Sequence, residues 1–128
     1  MVLPLLGKLL AYNVSGVAPR VMGIGPAVAI PAALAQCGLK VGDIDVFELN
    51  EAFASQAAYC IQALKLPLNK VNPKGGAIAL GHPLGATGSR QIATLMPELK
   101  RQRGRFGVVS MCIGTGMGAA AVIENEQK

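Results

Sequence analysis

The chain has 128 residues, enough for one domain or part of one. Hydrophobic residues make up 52% and mean hydropathy is +0.44, yet no apolar run reaches the roughly 18 residues of a membrane span, so the excess points to a buried interface and not to a membrane. The net charge is +5, but aromatic residues are only 4% and do not interleave with the cations, which argues against a nucleic-acid interface.

Residues 5–17 read as a strand-rich opening, ended by Gly16, Pro19 and Gly23. The small-residue stretch 26–37 reads as a helix with Pro26 in its first turn and Gly38 just past its end. Pro31 either kinks that helix or marks its true start. Residues 44–49 form a short strand, with Val46, Phe47 and Leu49 apolar. Asn50 then reads as the N-cap of a helix reaching Leu64, whose Phe53, Ala57, Cys60, Ile61 and Leu64 share one face. Residues 66–81 are loop-like, broken by Pro67, Pro73, Gly75 and Gly76, with room for one hidden strand. A further helix begins near Thr87 or Gly88, with Ile92, Leu95, Met96 and Leu99 as its apolar stripe and Pro97 predicting a kink. Residues 106–111 form a buried strand, a glycine turn follows, and a last strand covers 119–124. This order gives an α/β fold with helices on both faces of a mixed sheet, five-stranded if the hidden strand is counted, its last two strands forming a hairpin.

The chemistry-bearing residues stand at element boundaries. His82 is the only histidine, set on a glycine-lined loop between Gly81 and Pro83. Pro83 biases it away from helical angles, and imidazole is the natural general base near neutral pH. The plainer alternative is a surface-loop histidine. Cys112 ends a strand before Gly114-Thr115-Gly116-Met117-Gly118, where backbone N–H groups of Gly114 and Gly116 could face a developing oxyanion. The plainer alternative is a small buried hydrophobe. That glycine run is not a dinucleotide fingerprint, and 81–89 is not a phosphate loop. Asn50 could hold a water in an active site or only cap a helix, and Glu51 could only complement the helix dipole. Cys37 and Cys60 lie on helical stretches and look like core. An odd cysteine count without C-x-x-C or zinc spacing fits a reducing compartment. The cluster Lys100, Arg101, Arg103 and Arg105 reads as a helix end complementing the dipole, or as a patch for an anionic substrate. Residues 1–10 lack the charged start and cleavage site of a signal peptide, and the last residues are not a peroxisomal address tripeptide.

Three of these segments, 50–54, 75–85 (Gly-Gly-Ala-Ile-Ala-Leu-Gly-His-Pro-Leu-Gly) and 112–116, resemble the three C-terminal signatures of thiolases, and the similarity extends over 5–124. Residues 22–26, 54–60 and 108–120 look most like the peroxisomal 3-ketoacyl-CoA branch. The resemblance implies that 1–128 is a thiolase-like half-domain, the C-terminal domain, without the N-terminal half and loop domain of a complete thiolase. It implies that a nucleophilic cysteine from that missing half attacks a 3-ketoacyl-CoA, releasing acetyl-CoA, before coenzyme A takes the acyl group. By the same resemblance His82 activates the nucleophile, Asn50 positions a water in an oxyanion hole, Cys112 acts as acid and then base, and the Gly114 N–H joins a second oxyanion hole. Coenzyme A is then a substrate and no cofactor or metal is implied. The partners implied are 3-ketoacyl-CoA, coenzyme A, the N-terminal half and, in the full-length protein, a second copy as a homodimer. The implied location is peroxisomal, with mitochondrial or cytoplasmic as alternatives. The isolated chain is expected to be inactive. The competing readings are a non-catalytic remnant binding acyl-CoA or a partner, and a purely structural domain. A depressed Cys112 thiol pKa would count against the last.

Overall fold

The computed structural model describes residues 3–127. Its elements are β1 (Gly7–Gly16), α1 (Gly25–Gln36), β2 (Val46–Leu49), α2 (Ala54–Leu64), α3 (Ala77–Leu80), α4 (Thr87–Gln102), β3 (Phe106–Ile113) and β4 (Met117–Asn125). The strands lie in the order β1-β4-β3-β2. β3 and β4 form the expected hairpin, β4 also pairs antiparallel with β1, and β2 runs parallel to β3 with Leu49 opposite Ser110.

Successive side chains on a strand point to opposite faces, and the two faces bury different helices. Val108, Ala120 and Val122 pack with Ile30, Ala33 and Leu34 of α1, and with Phe47 and Leu49. Val109, Ala121 and Ile123, one residue along, pack with Leu95, Met96 and Leu99 of α4. α1 and α4 each run unbroken through their internal prolines, Pro31 and Pro97, so Pro31 does not mark the start of α1.

Two expectations are corrected. Among the described residues the sheet has four strands and not five: the hidden strand is reduced to a single parallel bridge between Val71 and Phe47. Pro67 and Pro73 flank it, and Asn72 turns the chain at φ 46, so no ladder can propagate. Asn50 is not a helix cap: its N–H continues the sheet by donating to Ser110 O at 2.9 Å, and α2 begins only at Ala54.

α4 covers β2 and β3 but leaves the outer half of its face bare. Leu9 (62% exposed), Tyr12 (58%) and Ile92 (43%) line a shallow apolar concavity there together with Val109, Met111 and Ile113. A buried carboxylate ties the opposite margin of α4. Glu98 accepts from Arg101 Nε at 2.8 Å and Nη2 at 2.6 Å and from Gln102 Nε2, and Lys74 lies 3.6 Å away.

Phe47 is fully buried, so Phe47→Ala should cost about 3–5 kcal/mol in chemical denaturation. Chiefly through Arg101, the Glu98 carboxyl is held down at about 2, from 4.5. The unfolded chain therefore takes up this proton first. The stabilisation is complete above pH 4.5 and is lost as pH falls towards 2. Thermal melts across that window should show a shallower acid slope for Glu98→Gln than for the parent.

Candidate active site

Parallel pairing brings the carboxyl ends of β2 and β3 side by side, the place where open α/β sheets hold ligands. Asn50 follows β2 and Cys112 lies near the end of β3. The buried carboxamide of Gln91 spans both strands, with Nε2 donating to Glu48 O at 2.7 Å and to Ser110 O at 3.0 Å. The sequence reading placed Gln91 only as a helix residue; nothing in its spacing marks this crosslink.

His82 arrives from α3 through Gly81, whose φ of 98 and ψ of 162 are open essentially to glycine alone. The imidazole, half-buried, sits against Asn50, whose Nδ2 lies 3.3 Å from Nε2 and 3.5 Å from Nδ1. Its Nδ1 lies 2.7 Å from Thr87 Oγ1. The single hydroxyl proton of Thr87 is donated to Pro83 O at 3.0 Å, so Oγ1 accepts from the ring. The network thus assigns the proton to Nδ1 and leaves the Nε2 lone pair beside an amide donor. Thr87 was legible only as a helix start; its role depends on a helix start folding back under the ring. Asn50 is wholly buried, yet its Oδ1 has no partner among the described residues, which leaves one acceptor for a water or a substrate group.

Cys112 shares strand parity with Val108 and so faces the α1 side; it is 8% exposed. Burial pushes its thiol up and not down, so it is a protonated thiol near neutrality. The depressed pKa that would have counted against a purely structural domain is not present. Gly114 is exposed on the hairpin turn, with open space beside its α-carbon. Hydrogen bonds join Asn50, His82 and Thr87; Cys112 and Gly114 approach through the adjoining strand, with no hydrogen bond to the imidazole among the described residues. The other cysteines are set differently. Cys60 is buried with its thiol raised by desolvation, and Cys37 donates to the carbonyls of Ala33 and Leu34 in its own helix.

The basic cluster lies at the amino end of β3, the opposite end from Cys112. Arg101 is engaged by Glu98, and Arg105 pairs with Glu124 at 2.8 Å while stacking 4.7 Å over the Phe106 ring. Lys100 and Arg101 occupy the last turn of α4, so the helix-end reading is the one the structure favours. No helix among the described residues is long and apolar enough to cross a membrane.

Residues 3–125 match the family model described as "Thiolase, C-terminal domain". The chain belongs to the thiolase family. It is 71% identical over 124 residues to the peroxisomal 3-ketoacyl-CoA thiolase B of Mus musculus, covering 95% of this chain and 29% of that protein. Two solved structures of the peroxisomal 3-ketoacyl-CoA thiolase of Saccharomyces cerevisiae superpose with TM-scores of 0.92. One, 61% identical and covering 96% of this chain and 35% of that one, is described as five-layered and built from two core domains of identical topology. The other, 62% identical and covering 96% and 31%, is described as dimeric. Human mitochondrial 3-ketoacyl-CoA thiolase in complex with CoA is 48% identical, with a TM-score of 0.92 over 94% of this chain and 31% of that one. The chain thus spans less than a third of the curated peroxisomal thiolases it matches.

Because His82 is the sole histidine, its ring ¹⁵N spectrum is read without assignment. The neutral ring should show one Nδ1–H tautomer. Thr87→Val, which removes the acceptor at little change in volume, should turn it into a mixture.

Proposed function

We propose that this chain is the C-terminal half of a 3-ketoacyl-CoA thiolase of fatty-acid β-oxidation, supplying base, acid and oxyanion-hole groups to a nucleophilic cysteine carried by an N-terminal half. The observation that carries the reading is the Asn50–His82–Thr87 array, in which the unprotonated Nε2 lies 3.3 Å from the Asn50 amide nitrogen. Names of relatives add the substrate class and a peroxisomal location, and the dimeric yeast protein supports a homodimer for the full-length form.

In this mechanism His82 Nε2 takes the proton of the nucleophilic thiol. The thiolate attacks the 3-keto carbon of the substrate. The resulting C2–C3 cleavage leaves an acyl-enzyme thioester and the enolate of acetyl-CoA, whose thioester oxygen is held by His82 and by a water on Asn50. Cys112 gives its proton to the enolate carbon, completing acetyl-CoA. A thiol kept protonated by burial suits that acid role. The Cys112 thiolate then takes the proton of incoming coenzyme A, whose sulfur attacks the acyl-enzyme. The Gly114 N–H stabilises the tetrahedral oxyanion, and collapse releases the shortened acyl-CoA and the enzyme thiolate. Coenzyme A is a substrate throughout, and no step calls on a metal or a bound cofactor.

Cys37 and Cys60 do not supply the nucleophile in this reading, because one is tied to its own helix and the other is buried in the core. The bare apolar face beside α4 suits an N-terminal half of like topology. A second reading, a non-catalytic acyl-CoA-binding remnant, is favoured by the groove of Val21, Met22, Ile24, Phe53 and Tyr59 between α2 and the short 3₁₀ helix Pro19–Ile24.

The test is thiolysis of a 3-ketoacyl-CoA by the chain alone and with a thiolase N-terminal half. No turnover alone and turnover on reconstitution are expected, with His82→Ala lowering the rate by about 10²–10⁴-fold. Turnover by the chain alone that is lost in Cys112→Ser would make Cys112 the nucleophile and overturn the half-site reading. Tight acyl-CoA binding without turnover in either setting would favour the remnant.

A further inference from the structure

We propose that Glu51 and Asn72 are positioning residues for His82: together they replace the missing fifth strand and anchor the loop that aims the imidazole at Asn50. The inference rests on the reading of His82 as the site's base, but its geometry and its test do not depend on turnover.

The loop from 73 to 86 has little else to hold it. Ile78 (69% exposed), Leu80 (54%) and Leu84 (85%) face solvent, so apolar burial contributes little there. α3 is a single turn, too short to be stable by itself. Polar bonds must therefore fix the loop. On its carboxyl side Thr87 provides them, as described above.

On its amino side the anchor begins with Asn72. Its backbone N–H donates to Phe47 O at 2.8 Å, the last contact of the one-residue bridge. Its side chain then acts as the next strand residue would. Oδ1 accepts from Leu49 N–H at 2.9 Å and Nδ2 donates to Leu49 O at 2.8 Å, which satisfies the edge of β2 immediately before Asn50. The second Nδ2 hydrogen goes to Glu51 Oε1 at 3.0 Å. The other carboxylate oxygen, Oε2, accepts from Ile78 N–H at 3.1 Å at the start of α3. Gly76 makes room for this: a β-carbon there would fall on the Glu51 carboxylate.

Two consecutive residues of one turn thus grip the loop at separate points, Asn50 at the imidazole and Glu51 four residues before it. Glu51 does not serve the dipole of α2, because its carboxylate is spent on Asn72 and Ile78. Both of its oxygens are used as acceptors, and an amide cannot supply two. Glu51→Gln, nearly isosteric, must lose one bond and the charge that strengthens the other.

The experiment compares the parent chain, Glu51→Gln and Asn72→Ala by ring ¹⁵N spectra of His82 and by amide hydrogen exchange. Expected in both variants are roughly tenfold or faster exchange at Ile78 and a mixture of imidazole tautomers like that of Thr87→Val, with protection at Val108 and Val122 kept. Faster exchange at Ile78 with an unchanged single Nδ1–H tautomer would reduce Glu51 to a structural tie and overturn the proposal. No change in either signal would overturn it as well. If Glu51→Gln fails to fold, Glu51→Asp, which keeps the charge but shortens the reach, is read by the same two signals. In a reconstituted enzyme the expected signature is a lower kcat at nearly unchanged KM.

Discussion

The short parallel pairing of β2 with β3 is the constraint on which the rest depends. Four residues, Val46–Leu49, lie in register with 107–110. That register alone sets Asn50 beside the end of the strand that carries Cys112. So short a ladder has few backbone bonds to protect it. The fold reinforces it from both sides: Gln91 spans the carbonyls of the two strands from the α4 side, and Asn72 closes the outer edge of β2. Both reinforcements use a primary amide: Asn72 offers Leu49 a paired donor and acceptor as a peptide group would, while Gln91 gives its amide hydrogens to the two strand carbonyls.

The polar groups behind the site come with a desolvation cost. Glu48 is fully buried, and burial raises its carboxyl pKa despite the Arg90 guanidinium 2.6 Å away. Glu48 Oε1, Arg90 Nε and Nη2, and Gln91 Oε1 have no partner among the described residues. A buried ion pair of this kind is weak support for stability, because desolvation offsets much of the attraction. Its geometric effect is clearer: it locks α4 against β2 at the level where Gln91 crosses. Thr87, at the start of the same helix, is thereby held under the imidazole.

The surface also fits a domain that is one part of a larger body. One face of the sheet is covered by α1 across β1, β4 and β3. The other is covered only in part, and Leu9, Tyr12 and Ile92 stand bare. In the proposed half-domain reading, another domain covers this face of a chain that is 52% hydrophobic. The like-topology arrangement described for the yeast relative is one way such a face is closed.

The sequence by itself determined the long elements and the hairpin, and it marked the residues proposed to carry chemistry. Hydrophobic periodicity is a local property, and His82, Cys112, Asn50 and Gly114 stand where glycines and prolines interrupt it. It misjudged two features, for one reason. Asn50 has the composition of a helix cap, and 66–81 has room for a strand, but both outcomes turn on bonds to residues far away in the chain. Asn50 N–H is taken by Ser110, and the strand stops after one bridge because Asn72 turns and uses its side chain in place of its backbone. Only the tertiary structure decided the imidazole tautomer, the Gln91 crosslink and the Glu51 anchor. Each is a hydrogen bond between polar groups brought together by packing, and polar spacing along a chain carries no signal of which distant carbonyl or ring a side chain will meet.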